Sequence, residues 1–259
     1  MHIDLGCGHH KHLNFYGIDR AQLPGVDLVC DINAGIPLPD NSVEFVMASR
    51  SLPYVTDLFA VMSELYRICT HKAIVCILSP YAHHFRHISN PYLKHKFDEY
   101  TPRYLTNTFL QPAGSPICPP VPEYLEHIVP FDFRLIRMEF FYEPPFSTTL
   151  YEQDELDMLQ YVQPNLISEI MYHFVVVKND MRIDDWHRIC QKKYDEPDWV
   201  PSLRRQKSPD MEETVQELDI IPIPQSKRET PAHPISNHAS IKPSKKPTQP
   251  PKKKASSRK

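Results

Sequence analysis

Five of the chain's six glycines lie within its first 35 residues, two of them two positions apart at the end of a short apolar run, His2-Ile3-Asp4-Leu5-Gly6-Cys7-Gly8. Six glycines in 259 residues fall well below the usual share of about 7 %, so glycine is kept for places where the backbone must turn sharply or be closely approached. A Gly-x-Gly turn closing a strand lets a ligand lie against bare backbone, because a side chain at either position would fill that space. The next two apolar runs, Phe15-Tyr16-Gly17-Ile18 and Val26 to Cys30, each stop on an acid, Asp19 and Asp31. Strands that end on a glycine turn and on acids along one edge describe an open α/β sheet, whose ligands bind at the carboxyl ends of the strands.

The remaining periodicity fits that sheet. Val43 to Ala48 reads as a fourth strand after the turn Pro39-Asp40-Asn41-Ser42. Leu58, Val61, Met62, Leu65, Ile68 and Cys69 recur at three and four residues and predict a helix over 57–69, with Thr56 or Asp57 as its cap. Ala73 to Leu78 is apolar without alternation, as expected of a strand buried on both faces of a parallel sheet. Phe131 to Tyr142 and His173 to Lys178 read as two further strands, with Phe140-Phe141-Tyr142 as core. Asp184 to Tyr194 reads as a short amphipathic helix with Trp186, Ile189, Cys190 and Tyr194 on one side. The Pro-rich stretch 80–130 predicts loop and short helix, long enough for a lid or substrate-binding insertion.

Charge divides the chain. Residues 230–259 hold eight Lys or Arg and no acid, leaving 21 basic and 32 acidic residues before them, a net of −11. Ten of the 27 prolines fall from Pro201 onward. With almost nothing to bury, residues 201–259 are expected to form a disordered Pro/Lys-rich tail behind a folded domain at 1–200. Such a tail reads as a solvated appendage, or as an electrostatic tether to nucleic acid or an anionic surface. A domain body at −11 speaks against a nucleic-acid substrate, since phosphate affinity needs clustered positive charge. No stretch approaches the roughly 18 to 20 apolar residues of a membrane helix. Met1 is followed by neither a basic start nor an apolar run, so no secretory leader is expected. The six cysteines never form a Cys-x-x-Cys pair, which argues against knuckle and thioredoxin chemistry and predicts a reducing, cytoplasmic setting.

The strand-end acids suggest a ligand. An acid closing the second strand can accept from both hydroxyls of a ribose. One closing the third can meet the exocyclic amine of an adenine, with Ile32 packing on the ring face. A dinucleotide would want a third glycine where Lys11 stands, and an acid about 20 residues further on, whereas Asp19 comes 11 after Gly8. No Gly-x-x-x-x-Gly-Lys-Ser/Thr loop is present either. A nucleoside without a pyrophosphate fits better. After the fifth strand, Tyr81, His83, His84 and His87 supply candidate proton acceptors. His83 and His87, four apart, would share a helix face, but no third ligand accompanies them and no metal site is expected. His9, His10 and His12 flank the glycine turn and are expected to be exposed.

His2 to Gly8 and Phe15-Tyr16-Gly17-Ile18-Asp19-Arg20 resemble the opening motifs of class I S-adenosylmethionine-dependent methyltransferases. Val26 to Ile32 and Ile36-Pro37-Leu38-Pro39-Asp40-Asn41-Ser42-Val43 extend the resemblance. It is nearest to the small bacterial methyltransferase type 11 group, with its shortened first helix. Ser63-Glu64-Leu65-Tyr66-Arg67-Ile68 and the closing strand Ile170 to Lys178 carry it to about residue 180. The resemblance implies a Rossmann-like, mostly parallel seven-stranded sheet with helices on both faces, and S-adenosylmethionine as cofactor. It implies Asp4, Gly6 and Gly8 at the methionine end, Asp19 at the ribose and Asp31 with Ile32 at the adenine. The Ala48-Ser49 segment would line the methyl-bearing side. The chain departs from the group by beginning directly on the first strand and by carrying Thr70-His71-Lys72 where a tight turn is usual. It also reads Arg50-Ser51-Leu52-Pro53-Tyr54 where the group tends to show His-x-Leu-Glu-His. The implied activity is methyl transfer to a small molecule or sugar, with His84, His83 or Tyr81 as a base where the acceptor needs one. The alternative is a non-catalytic nucleoside-binding scaffold on the same fold, tethered by its basic tail.

Overall fold

β1 (His2–Leu5) pairs in parallel with β2 (Tyr16–Asp19) on one side and with β4 (Val43–Ser49) on the other. β3 (Leu28–Val29) extends the sheet beyond β2, and β5 (Cys69–Pro80) beyond β4, all parallel. β7 (Ile167–Val176) then runs antiparallel to β5, and β6 (Phe133–Tyr142) antiparallel to β7. The order is therefore β3-β2-β1-β4-β5-β7-β6, the open, mostly parallel seven-stranded sheet expected. The chain winds outward from β1 to β3 and returns to β4 on the other side, and such a reversal opens a crevice at the strands' carboxyl ends. This computed structural model describes residues 1–109, 118–125 and 128–204. The expected tail from 205 onward, and part of the 80–130 insertion, lie outside the described residues.

Each sheet face has its own cover. α1 (Leu58–Ile68) begins at Asp57, whose side chain accepts from the Ala60 N–H at 3.0 Å. It turns Leu58, Val61, Met62, Leu65 and Ile68 onto a core with Ile3, Leu5, Ile18, Val46 and Val75. On the opposite face Trp186 and Ile189 of α4 (Ile183–Gln191) and Val200 and Leu203 of α5 (Val200–Leu203) pack against Phe15, Phe45, Met47, Cys76 and Leu78. Among the described residues no helix joins β1 to β2 or β2 to β3, so the shortened first helix is reduced to turns. The face that such helices would cover is closed by the C-terminal segment instead.

Several boundaries move. Thr70-His71-Lys72 is no loop but part of β5, bulging where the register jumps from Val43↔Cys69 to Phe45↔Ile74. β7 begins at Ile167, six residues before the expected His173. Pro201 lies inside α5, next to the fully buried Val200, so packed structure continues past 201, where the tail was expected to begin. Within 80–130 the described residues form α2 (Phe85–Ile88) and 3-10 turns at Thr101–Tyr104 and Glu123–Leu125. α3 (Gln153–Leu159) was not legible in the sequence. No helix of the described residues is long and apolar enough to cross a membrane.

Candidate nucleoside site

The glycine turn hangs on the end of β2. Gly6 and Gly8 adopt φ of 71° and 54°, the left-handed region that a Cβ disfavours. A Cβ on Gly6 would stand 2.4 Å from the Cβ of Ser51, so the chain's own Ser51 approaches the bare backbone there. At Gly8 a Cβ would meet nothing within 4 Å, and the space is open. The N–H of Gly6 donates to Ile18 O at 2.7 Å, and that of Gly8 to Asp19 Oδ2 at 2.9 Å. Asp19 Oδ1 accepts the Ala21 N–H at 2.9 Å. Each Asp19 oxygen is thereby oriented by one backbone donor and keeps a lone pair, two acceptors for the two hydroxyls of a ribose.

Asp31 caps the turn that carries Ile32. Its Oδ1 accepts the backbone and side-chain N–H groups of Asn33 at 3.0 and 2.8 Å, which hold its carboxyl below the ordinary value. Asn33 Oδ1 in turn accepts the Thr56 N–H at 2.6 Å, tying this turn to the loop before α1. Between the two lies a cavity of about 250 Å³, lined by Gly6, Asp19, Asp31 and Ile32 together with Arg50, Ser51, Tyr54 and Val55.

A second, much smaller space of about 30 Å³ borders Asp4, Gly6, Ser49, Asp198 and Trp199. Gly6 belongs to both and marks their junction. Asp4 is 3 % exposed, accepts the His12 N–H at 2.8 Å, and has its pKa raised by burial. His12 Nδ1 stands 3.0 Å from Asp198 Oδ1 without forming a hydrogen bond, and His12 is half-buried, not exposed as expected; His9 and His10 are exposed. Arg50, left-handed at φ 55°, donates from Nε and Nη2, one edge of its guanidinium, to the two oxygens of Glu169 and lies over the Trp199 ring at 5.3 Å. Ser49 Oγ, Ser51 Oγ and Trp199 Nε1 are buried with no hydrogen-bond partner among the described residues. Three such orphans at one strand edge are what a bound polar ligand would satisfy.

Asp4, Gly6, Asp19, Asp31, Ile32 and Ser49 thus line these two adjoining spaces, and Gly8 joins them through Asp19. Tyr81, His83 and His84 stand apart. Tyr81 donates to Glu99 Oε2 at 2.8 Å, and burial pushes its phenol well above the ordinary value. With His83 it borders a separate cavity of about 250 Å³ beside Gln160, Tyr161 and Ile167, which shares no lining residue with the first. His84 is 1 % exposed, accepts the Arg86 N–H on Nδ1 at the start of α2, and is held below the ordinary imidazole value by burial. His83 lies before α2 and faces Asp98, whereas His87 faces Ser168 O, so the shared helix face is not formed. Among the described residues no group of three His, Cys, Asp or Glu is placed to hold a metal ion. Phe141 and Tyr142 are core, as expected.

Arg50, Tyr54 and Trp199 were missed in the sequence. A tryptophan in Pro197-Asp198-Trp199-Val200-Pro201, one of only two in the chain, was the available signal.

No family model matches the chain, and no curated protein matches it. Solved structures that do match include a SAM-dependent methyltransferase from Archaeoglobus fulgidus, 16 % identical, with 67 % of this chain and 85 % of that one covered and a TM-score of 0.41. A SAM-dependent methyltransferase from Aquifex aeolicus is 15 % identical over 68 % of this chain and 81 % of its own, at a TM-score of 0.38. Likeness at this level carries no argument about activity, which rests on the site alone.

Proposed function

We propose that the chain is an S-adenosylmethionine-dependent methyltransferase acting on a small-molecule or sugar acceptor. One observation carries this reading: Gly6, Asp19, Asp31 and Ile32, drawn from the ends of three neighbouring strands, meet around a single nucleoside-sized cavity. The bound cofactor would supply a methyl group on a good leaving group, so the chain's task is chiefly to position the acceptor in line. Asp19 would hold the ribose, and Asp31 with Ile32 the adenine. Of the acceptor-side candidates, His83 has the open ring, with its side chain 65 % exposed, while His84 and Tyr81 are enclosed.

The non-catalytic nucleoside-binding reading is favoured by a different observation, the distance in the fold between the histidines and the nucleoside cavity, which have no lining residue in common. Calorimetric titration of the full chain with adenosine and S-adenosylhomocysteine, with Asp19→Ala as control, tests the binding step. Binding lost in the variant supports the adenosyl site, and a folded protein that binds neither ligand overturns it. Methyl transfer is then read as S-adenosylhomocysteine released in the presence of candidate acceptors; binding without release under any acceptor supports the scaffold. Removing residues 230–259 should leave binding and rate unchanged for a small substrate, whereas a salt-dependent loss would point to nucleic acid.

A further inference from the structure

The cavity that suits a nucleoside stops short where an amino-acid arm would continue. Beyond Gly6, on the side of Asp4 and Ser49, only about 30 Å³ remains, room for one or two waters and not for an aminobutyrate chain with its ammonium and carboxylate. What fills the place is Pro197-Asp198-Trp199, delivered by the strap 195–204. Trp199 lies under Arg50, and Asp198 meets His12. The strap is fastened on either side of the tryptophan. His173 Nε2 stands 3.2 Å from Asp195 O. Arg204 bridges Glu139 of β6 and Glu196 by paired bonds of 2.6 to 2.9 Å, and Val200 is fully buried. Yet the tryptophan itself is poorly satisfied, its Nε1 buried without a partner, as is the Oγ of Ser49, which borders the same space. A side chain that a fold places for stability alone does not ordinarily leave such atoms orphaned.

We infer that Trp199 sets which adenosyl ligands the site accepts: adenosine and nucleosides with a short 5′ substituent enter the structure as it stands, and a ligand bearing the amino-acid arm enters only when Trp199 leaves its place beside Asp4 and Ser49. The inference rests on the adenosyl reading of the cavity. Displacement costs the larger ligand part of its affinity in proportion to how rarely the open arrangement is populated, and it costs adenosine nothing.

The test is calorimetry of the full chain with adenosine and with S-adenosylhomocysteine, on the wild type, Trp199→Ala and Trp199→Phe. The wild type should favour adenosine. Trp199→Ala should tighten S-adenosylhomocysteine by about tenfold or more, the reciprocal of an open fraction of about a tenth or less, and leave adenosine unchanged; Trp199→Phe should fall between. Should Trp199→Ala fail to fold, Trp199→Phe together with Trp199 emission in a Trp186→Phe background carries the test. S-adenosylhomocysteine should then change that emission where adenosine does not. A wild type that binds S-adenosylhomocysteine more tightly than adenosine, with no gain on substitution and no change in emission, overturns the inference and leaves the adenosyl site standing. A folded wild type and variant that bind neither ligand overturn both.

Discussion

Asp4 is an acid held almost wholly out of water with a single backbone donor, the N–H of His12. Burial raises its pKa above 3.8, so the fold favours the protonated form. Ionising it is therefore a cost, absent in acid and incurred as pH rises through the raised value. Asp4→Asn keeps an acceptor for His12, and it should raise the denaturant midpoint at pH 7 and lose that advantage in acid. The same change should weaken S-adenosylhomocysteine, the exchange expected of a residue kept for binding at the expense of stability. His83 and His84 separate in the opposite sense. His84→Ala removes a buried cap and should cost about 1–2 kcal/mol in chemical denaturation, without a specific effect on rate. If His83 is the acceptor-side base, His83→Ala should leave stability alone and slow turnover about 10²-fold. That Gly6, Asp19 and Asp31 stand at the ends of neighbouring strands around one cavity was legible in the sequence, because each closes its own strand. Arg50 and Trp199 were not, because what they do depends on Glu169 and on each other, across more than a hundred residues.

α1 was read almost to the residue, since its apolar spacing and its Asp57 cap are both local signals. Its last turn does more than cover the sheet. Arg67 donates to Glu64, Asp40 and the carbonyls of Ile36 and Leu38, while Glu64 accepts the Ile36 N–H, and the pair clamps the loop that feeds β4. Arg67→Ala leaves the Leu38 carbonyl and the Asp40 carboxylate without that donor and takes one of two donors from the Ile36 carbonyl. It should cost about 2 kcal/mol, seen as a fall in Tm of about 4–8 °C. β7 was read six residues short for the converse reason. Ser168 and Glu169 look like loop residues, but the Ser168 hydroxyl donates to Phe141 O on β6 and Glu169 receives Arg50. Partners supplied by other elements make polar residues fit a strand interior, and no window of sequence contains them.

At the scale of the molecule, a sheet that among the described residues lacks crossover helices in its first three strands borrows its second cover from α4 and α5. That cover is pH-sensitive at one point. His173 is buried beneath Tyr194, with Arg137, Glu139 and Glu196 around it, and burial holds its pKa below 6.5. The neutral ring is the one the fold accepts, so its contribution is complete above pH 6.5 and is lost as pH falls through the depressed value. Hydrogen exchange over 195–204 should quicken in that window, and His173→Gln should flatten the dependence. Val200→Ala removes two methyl groups from the strap's fully buried anchor and should cost about 1–2 kcal/mol. There is also a matter of time. Asp4 and Trp199 line one space although they stand 195 positions apart in the chain. At about 5–20 residues per second, a ribosome takes roughly ten to forty seconds to travel between them. Through that interval β1 stands with one face uncovered and its glycine turn facing solvent. The closed site is complete only in a chain that has been made through the strap.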